Sequence, residues 1–153
     1  MQIASDDPRR PDVVALLTEH LAEMRSCSPA CSVHALDVDG LAAPAICFRT
    51  ARTEEGALLA TGALKDLGDG HAEIKSMRTT SAARGCGIGA AMVLHLLALA
   101  RSAGFERVSL ETGAQDHFAP ARRLYLRQGF TECGPYADYG PDPNSAFFTL
   151  ELV

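Results

Sequence analysis

The feature that most constrains the fold is a glycine-rich run placed directly before a long apolar segment. The run reads Arg84-Gly85-Cys86-Gly87-Ile88-Gly89, and residues 88–103 after it are apolar with few exceptions. A helix N-terminus has unpaired N–H groups and a partial positive charge, and glycines let an anion come close because no Cβ intervenes. Gly104 is typical of the left-handed residue that ends a helix. The run therefore predicts a helix whose first turn binds a phosphate group.

The segments around this helix predict a mixed α/β fold. Before it, we expect a short strand at 1–4, a helix opening at Pro11, loops or a short helix over 26–44, and strands at 45–49, 58–64 and 71–79. After it, we expect a strand at 108–111, a helix that starts near Pro120 and ends at Gly129, and closing strands at Phe130 and 146–152. Short turns between successive strands favour an antiparallel meander. The order predicts a mixed, mostly antiparallel sheet of about six to seven strands flanked by helices.

Composition narrows the class of protein. The chain has 153 residues, of which 47% are hydrophobic and 22% charged, so one domain spanning 1–153 is expected. A net charge of -5 without a Lys/Arg-rich stretch argues against nucleic acid as a partner. The five cysteines have neither disulfide-framework nor zinc-site spacing, so no metal is expected. With no leader-like start and no apolar stretch that could span a bilayer, we expect a cytoplasmic protein with no membrane partner. The oligomeric state stays open, a homodimer included.

Two other phosphate-binding motifs contain similar glycine runs. Residues 85–90 also fit the dinucleotide pattern G-x-G-x-x-G/A, and Glu111 lies about where a ribose-binding acid would stand. However, residues 79–84 separate the preceding strand from the first glycine, and a meander precedes the run rather than an early βαβ unit. A Walker loop is excluded because no Gly-Lys-Ser/Thr follows. The dinucleotide interpretation therefore ranks lower, and a purely structural tight turn remains an alternative.

Two motifs resemble those of the GNAT acyltransferase superfamily. Arg84, Gly87 and Gly89 match its pattern Arg/Gln-x-x-Gly-x-Gly/Ala. Residues 121–130, Ala-Arg-Arg-Leu-Tyr-Leu-Arg-Gln-Gly-Phe, resemble its A-x-x-L-Y-x-x-x-G-F segment, and the strand order is similar over nearly the whole chain. Segments 73–79 and 118–122 further resemble a small bacterial branch of YsnE-like acetyltransferases.

This resemblance implies that acetyl-CoA is the cosubstrate and lies between splayed strands. The strand ending near Thr79 and the strand at 108–111 would form the splay. The residues implied to bind the cosubstrate are Met77, Arg78, Thr79, Arg84, Gly85, Cys86, Gly87, Ile88, Gly89, Ala90, Phe118 and Tyr125. Phe118 departs from the family, many of whose members have Asn there, so a polar contact to the cosubstrate is expected to be lost.

The implied chemistry is direct attack of an amine on the acetyl thioester. A base is needed because an alkylammonium stays protonated at neutral pH. Glu73 is the favoured base and shares a face with Lys75 and Met77 by strand alternation, while Glu111 is the alternative or a water-orienting partner. Tyr125 is expected to protonate the departing thiolate. Each carboxylate can equally be a strand residue that is solvated or held in a salt bridge. The alternative for Tyr125 is a core aromatic residue whose hydroxyl has a hydrogen-bond partner.

The acceptor side is the least constrained part of the prediction. Its expected residues are Lys75, His34, Tyr136 and Tyr139, with Ser32, Arg78 and Phe118 as further candidates. If Lys75 and Arg78 point into the cleft, a carboxylate-bearing amine such as an amino acid is expected. The predicted function is thus acetyl transfer from acetyl-CoA to a primary amine of a small molecule. The alternatives are a non-catalytic acyl-CoA sensor and a nucleotide-dependent reductase.

Overall fold

The computed structural model describes residues 1–27, 29 and 38–152, and a seven-stranded sheet lies at its centre. The strands are β1 Gln2–Ser5, β2 Ile46–Arg52, β3 Leu58–Gly68, β4 His71–Thr79, β5 Arg107–Gly113, β6 Thr131–Cys133 and β7 Ser145–Glu151. Their spatial order is β1-β2-β3-β4-β5-β7-β6, and every neighbouring pair is antiparallel except β4 and β5. The predicted mixed, mostly antiparallel sheet is confirmed. Phe130, expected in a closing strand, instead lies buried just before β6.

Helices cover both faces of the sheet. They are α1 Pro11–Cys27, α2 Val38–Leu41, α3 Ile88–Ser102 and α4 Ala119–Arg127, with 3₁₀ turns at Ser81–Ala83 and Asp116–Phe118. On one face, Val13 and Leu17 of α1 and Leu41 of α2 pack against Phe48 and Ala63. On the other face, α3 and α4 form the larger core cluster with Ile74, Leu110 and Phe148. Within the described ranges, no helix combines the length and apolarity needed to cross a membrane.

A β-bulge in β4 changes which side chains share a face. Ser76 has φ 55, and the β3–β4 register jumps from Thr61 opposite Arg78 to Ala63 opposite Lys75. The Thr61 hydroxyl donates a hydrogen bond of 2.8 Å to the Ser76 carbonyl and so supports the bulge. Met77 consequently packs into the α3 core cluster with Ile74. The expectation that Met77 shares a face with Glu73 and Lys75 is therefore wrong, because the extra residue reverses the alternation.

Strands β4 and β5 separate partway along their length. Their parallel ladder ends at the pair Ile74–Leu110, although β4 continues to Thr79 and β5 to Gly113. The crossover between them contains α3, whose first residue Ile88 follows the glycine run. A wedge thus opens between the two strands, as the splay expected from the sequence requires.

Candidate active site

The wedge between β4 and β5 widens into a cavity of about 550 Å³. Its walls come from the second half of β4, the glycine turn, the end of β5, α4 and one side of α1. The lining includes Glu73, Lys75, Met77, Arg78, Thr79, Arg84, Gly85, Gly87, Ile88, Gly89, Ala90, Glu111, Phe118, Tyr125 and Tyr139. A cavity of this volume is typical of ligand sites. Most of the site residues predicted from the sequence are therefore brought together.

The glycine turn presents the open N-terminus of α3 to this cavity. Gly85 and Gly87 have φ of 78° and 79°, and a Cβ on either would meet open space, so conformation rather than room requires glycine there. Gly87 is the N-cap and has no side chain to occupy the helix end. The first helical bond runs from the Ala91 N–H to the Gly87 carbonyl, so the amides just before Ala91 have no helical acceptor. These groups fit a diphosphate.

Two members of the predicted phosphate loop differ in position. The Arg84 side chain is about half exposed, and its guanidinium lies 3.8 Å from the Glu23 carboxylate on α1. Cys86 is exposed, and its thiol lies 3.8 Å from the Arg84 carbonyl. Cys86 is absent from the described residues that line the cavity. The expectation that Cys86 binds the cosubstrate is therefore not supported by its position, whereas the other predicted loop residues line the cavity.

The free edge of β4 offers main-chain groups to an extended ligand. Beyond Ile74 this edge has lost β5 as its partner, and Met77, Arg78 and Thr79 line the cavity. Added strand-like ligands bind such edges through backbone hydrogen bonds. The Arg78 guanidinium is already paired with α1, since it forms ion pairs with Glu19 at 2.8 Å and with Glu23.

Glu111 is the first residue of β5 after the strands separate, and its surroundings favour proton transfer. Burial raises the pKa of Glu111 to about 7, although the Ser145 hydroxyl and the Lys75 ammonium act in the opposite direction. A carboxyl group with that pKa exchanges protons readily at neutral pH. Glu111 can therefore act as a base beside the cavity.

Glu73 has a different environment, although it lies on the same face of the sheet. Its Oε2 accepts hydrogen bonds of 2.6 Å from the hydroxyls of both Tyr136 and Tyr139. The Lys75 Nζ is 3.5 Å from the same oxygen, and only 2% of Glu73 is exposed. Burial and the Glu73 charge raise the pKa of both tyrosines, so each keeps the proton it donates. Glu73 is thus built into a hydrogen-bonded cluster.

Tyr125 lies on the cavity wall contributed by α4. Its ring packs 5.8 Å from Phe130 and 6.5 Å from Phe148, measured between ring centroids. Burial and, to a smaller extent, the nearby Glu111 raise the pKa of the phenol. The hydroxyl therefore remains protonated and can donate a proton.

Sequence reasoning missed the contribution of α1. His20, Glu23 and Met24 line the cavity, and the Glu23 Oε1 lies 2.6 Å from His117 Nε2. Burial, followed by the Arg78 charge, lowers the pKa of His20 to about 4. His20 and Glu23 alternate with the apolar stripe of α1 and resemble an ordinary solvent-exposed face, so no sequence pattern indicated that they line a cavity.

Not all of the residues predicted from the sequence to bind the acceptor amine line the cavity. Lys75 and Tyr139 line the cavity. Tyr136 is buried, 8% exposed, behind Glu73 and contacts Phe147 rather than the cavity. His34 and Ser32 fall outside the described residues.

Comparison with known proteins agrees with this geometry. Residues 13–130 match the acetyltransferase (GNAT) family. The chain is 45% identical to the uncharacterized N-acetyltransferase YsnE of Bacillus subtilis (strain 168), over 99% of this chain and 100% of that protein. It is 43% identical to the uncharacterized N-acetyltransferase YedL of Escherichia coli (strain K12), over 98% and 94%.

A solved structure agrees as well. A Klebsiella pneumoniae subsp. pneumoniae MGH 78578 protein assigned as an acyl-CoA N-acyltransferase superposes with a TM-score of 0.81 at 25% identity, over 99% of this chain and 97% of that one. GNAT acetyltransferases use acetyl-CoA as the acetyl donor, which the open helix end and splayed strands fit. The chain therefore belongs to the GNAT acetyltransferase family, in its YsnE-like branch, and is an acyltransferase that uses acetyl-CoA.

Proposed function

We propose that the protein acetylates a primary amine of a small molecule, and that the amine attacks acetyl-CoA directly within a ternary complex. The observation that carries this proposal is that Glu111 and Tyr125 both line the cavity that opens where β4 and β5 separate. The open N-terminus of α3 lines the same cavity. A proton acceptor, a proton donor and a diphosphate site therefore share one cavity.

We assign proton removal to Glu111 rather than to Glu73. Glu73 already accepts two short hydrogen bonds and pairs with Lys75. Glu111 has a pKa of about 7 because it is buried. It can take a proton from an incoming ammonium at neutral pH and pass it to solvent, leaving the neutral amine that attack requires.

Tyr125 is the proposed proton donor. As the nitrogen–carbon bond forms and the carbon–sulfur bond breaks, the Tyr125 phenol gives its proton to the departing sulfur. The nitrogen loses its second proton to the Glu111 carboxylate, and solvent carries a proton back to the phenolate, so that both groups are restored for the next turnover. No cysteine nucleophile takes part. The bound cosubstrate supplies the acetyl thioester, and the protein supplies both proton transfers and the orientation.

The proposed acceptor carries a carboxylate, as an amino acid does. Lys75 is the cation that supports this choice, since it lines the cavity. Arg78, the second cation expected to contribute, is paired with Glu19 and Glu23. We therefore expect Lys75→Met to raise KM for amino acids more than for matched amines that lack the carboxylate.

The test is release of free CoA thiol with a panel of primary amines, measured for wild type, Glu111→Gln and Tyr125→Phe. Each substitution is expected to lower kcat about 100-fold or more, because each removes a proton-transfer group. Affinity for acetyl-CoA, measured by isothermal titration, should stay near the wild-type value. The exposed Glu132 on β6 provides the matched control, since Glu132→Gln should turn over normally.

Two results would count against the proposal. Normal turnover by Glu111→Gln and Tyr125→Phe would remove both residues from the mechanism. Acetyl-CoA binding without thiol release for any amine would favour the non-catalytic sensor instead.

A further inference from the structure

Lys75 and Glu111 occupy equivalent positions at the point where the strands separate. The last paired residues of the parallel ladder are Ile74 and Leu110, so Lys75 and Glu111 are the next residue on each strand. Both line the cavity. They also share the sheet face opposite to Ile74 and Leu110, which pack toward α3.

The Lys75 ammonium is held in place by a buried cluster. It donates a hydrogen bond of 3.0 Å to the Tyr139 hydroxyl and lies 3.5 Å from the Glu73 carboxylate. Tyr136 completes the cluster by donating to the same Glu73 oxygen, and both tyrosine rings pack against Phe147. Only 8% of the Lys75 side chain is exposed. A flexible side chain is thereby restricted to one position at the head of the wedge.

We propose that Lys75 is a positioning residue that Glu73, Tyr136 and Tyr139 hold beside Glu111, and that its ammonium keeps the Glu111 carboxylate ionised for proton removal. This inference rests on the proposed function and assigns Glu73 a supporting task in it. Glu73 acts through Lys75 and does not itself touch the amine.

The charges around Glu111 explain why this arrangement matters. The groups that act on it are Lys75 and Glu73 from β4, Ser145 from β7, Asp142 from the β6–β7 loop, and Tyr125 from α4. Within this set from the described part of the chain, Lys75 alone is a cation, while Glu73 and Asp142 oppose ionisation of Glu111. Loss of the ammonium would leave a buried carboxyl beside two acids, which favours its neutral form.

The experiment is the pH dependence of kcat/KM, measured with a primary amine that lacks a carboxylate so that acceptor binding by Lys75 plays no part. The acidic limb is the part of the profile where kcat/KM falls as the pH is lowered. In Lys75→Met, this limb should shift to higher pH by about one unit or more. Lys75→Arg should keep the limb near its wild-type position, because the positive charge remains. Tyr139→Phe, which removes one bond to Lys75, should move the limb in the same direction by less.

Lys65 is the matched control. It is the chain's other lysine and lies opposite Glu73 on β3, but it forms no ion pair among the described residues. Lys65→Met should leave the limb in place. If Lys75→Met lowers the rate equally at every pH, Lys75 has only a structural role and the inference is overturned. Should Lys75→Met fail to fold, an unmoved limb in Tyr139→Phe would overturn it equally.

Failure of the proposed function gives a different pattern. In that case Glu111→Gln retains both its rate and its acidic limb, whatever Lys75→Met does. If Glu111→Gln loses activity and the Lys75→Met limb stays in place, only the role of Lys75 is rejected.

Discussion

Glu73 and Glu111 are the same residue type on the same face of the sheet, and their neighbours give them different chemistry. Two phenols and an ammonium surround one oxygen of Glu73. Glu111 is buried with fewer compensating donors, and this raises its pKa to about 7. The sequence favoured Glu73 as the base and could not reveal its hydrogen-bond partners, because the tyrosines that contact Glu73 lie more than sixty residues along the chain.

The close packing around Gly113, at the end of β5, leads to a testable prediction about space in the cavity. A Cβ there would overlap the ring of Phe118, which lines the cavity. Gly113→Ala should therefore displace the ring, lower the free energy of unfolding by about 1–3 kcal/mol, and weaken acetyl-CoA binding. Chemical denaturation and isothermal titration measure the two effects.

A double mutant separates this overlap from a backbone effect. Phe118→Ala removes the obstructing ring, so adding Gly113→Ala to it should cost much less than Gly113→Ala costs in the wild type. Equal costs in both backgrounds would show that contact with Phe118 is not the cause.

Among the elements, α3 has a left-handed glycine at each end, which allows a matched comparison. Gly87 at the start and Gly104 after the end have φ of 79° and 86°, and a Cβ on either meets open space. Each Gly→Ala change should cost about 1–2 kcal/mol of stability from backbone strain alone. Only Gly87→Ala should also weaken acetyl-CoA binding, because only Gly87 borders the cavity. Similar affinities for the two variants in isothermal titration would argue against anion binding at the start of α3.

The elements most predictable from sequence were those that glycine and apolar periodicity delimit. α3 begins at Ile88 as expected, and the glycines at 104 and 129 follow α3 and α4. The bulge at Ser76 was not predictable, since serine has no preference for positive φ and tertiary pairing with Thr61 supports it. Because of this extra residue, the Met77 side chain packs on the α3 face of the sheet and not on the face of Glu73 and Lys75, where it was predicted.

At the scale of the molecule, α1 connects the candidate active site to the edge of the sheet. Near its C-terminal end, Glu23 pairs with Arg78 at the cavity. At its start, Asp12 pairs with Arg52 of β2 at 2.6 Å, and Arg52 also reaches Asp6 at 3.0 Å. Thr50 donates a further hydrogen bond of 2.7 Å to Asp6. This group of charges fixes the start of α1 against β2, and α1 in turn forms one side of the cavity.

Because Asp6 belongs to this charged group, the contact between the start of α1 and β2 depends on pH. Burial alone would raise its pKa, but hydrogen bonds from Thr50, the Asp7 amide, Arg52 and Arg10 outweigh burial and lower it from 3.8 to about 2. A carboxyl group with a lowered pKa stabilises the fold above its unfolded-state pKa, and this stabilisation disappears as the pH falls toward 2. Asp6→Asn should therefore lower the free energy of unfolding by about 2 kcal/mol at pH 7.

The difference in free energy of unfolding between wild type and Asp6→Asn should narrow steadily below about pH 4, because Asp6 then becomes protonated in the unfolded chain while it stays ionised in the folded protein. Urea denaturation at a series of pH values from 7 down to 3 measures this. Asp7 is the matched control, since it is exposed and Asp7→Asn should track the wild type throughout. If the difference in free energy of unfolding stayed constant across the series, the shape of Asp6 rather than its charge would stabilise the contact between α1 and β2. The hydrogen bond from Thr50 and the position of α1 would then not depend on ionisation of Asp6.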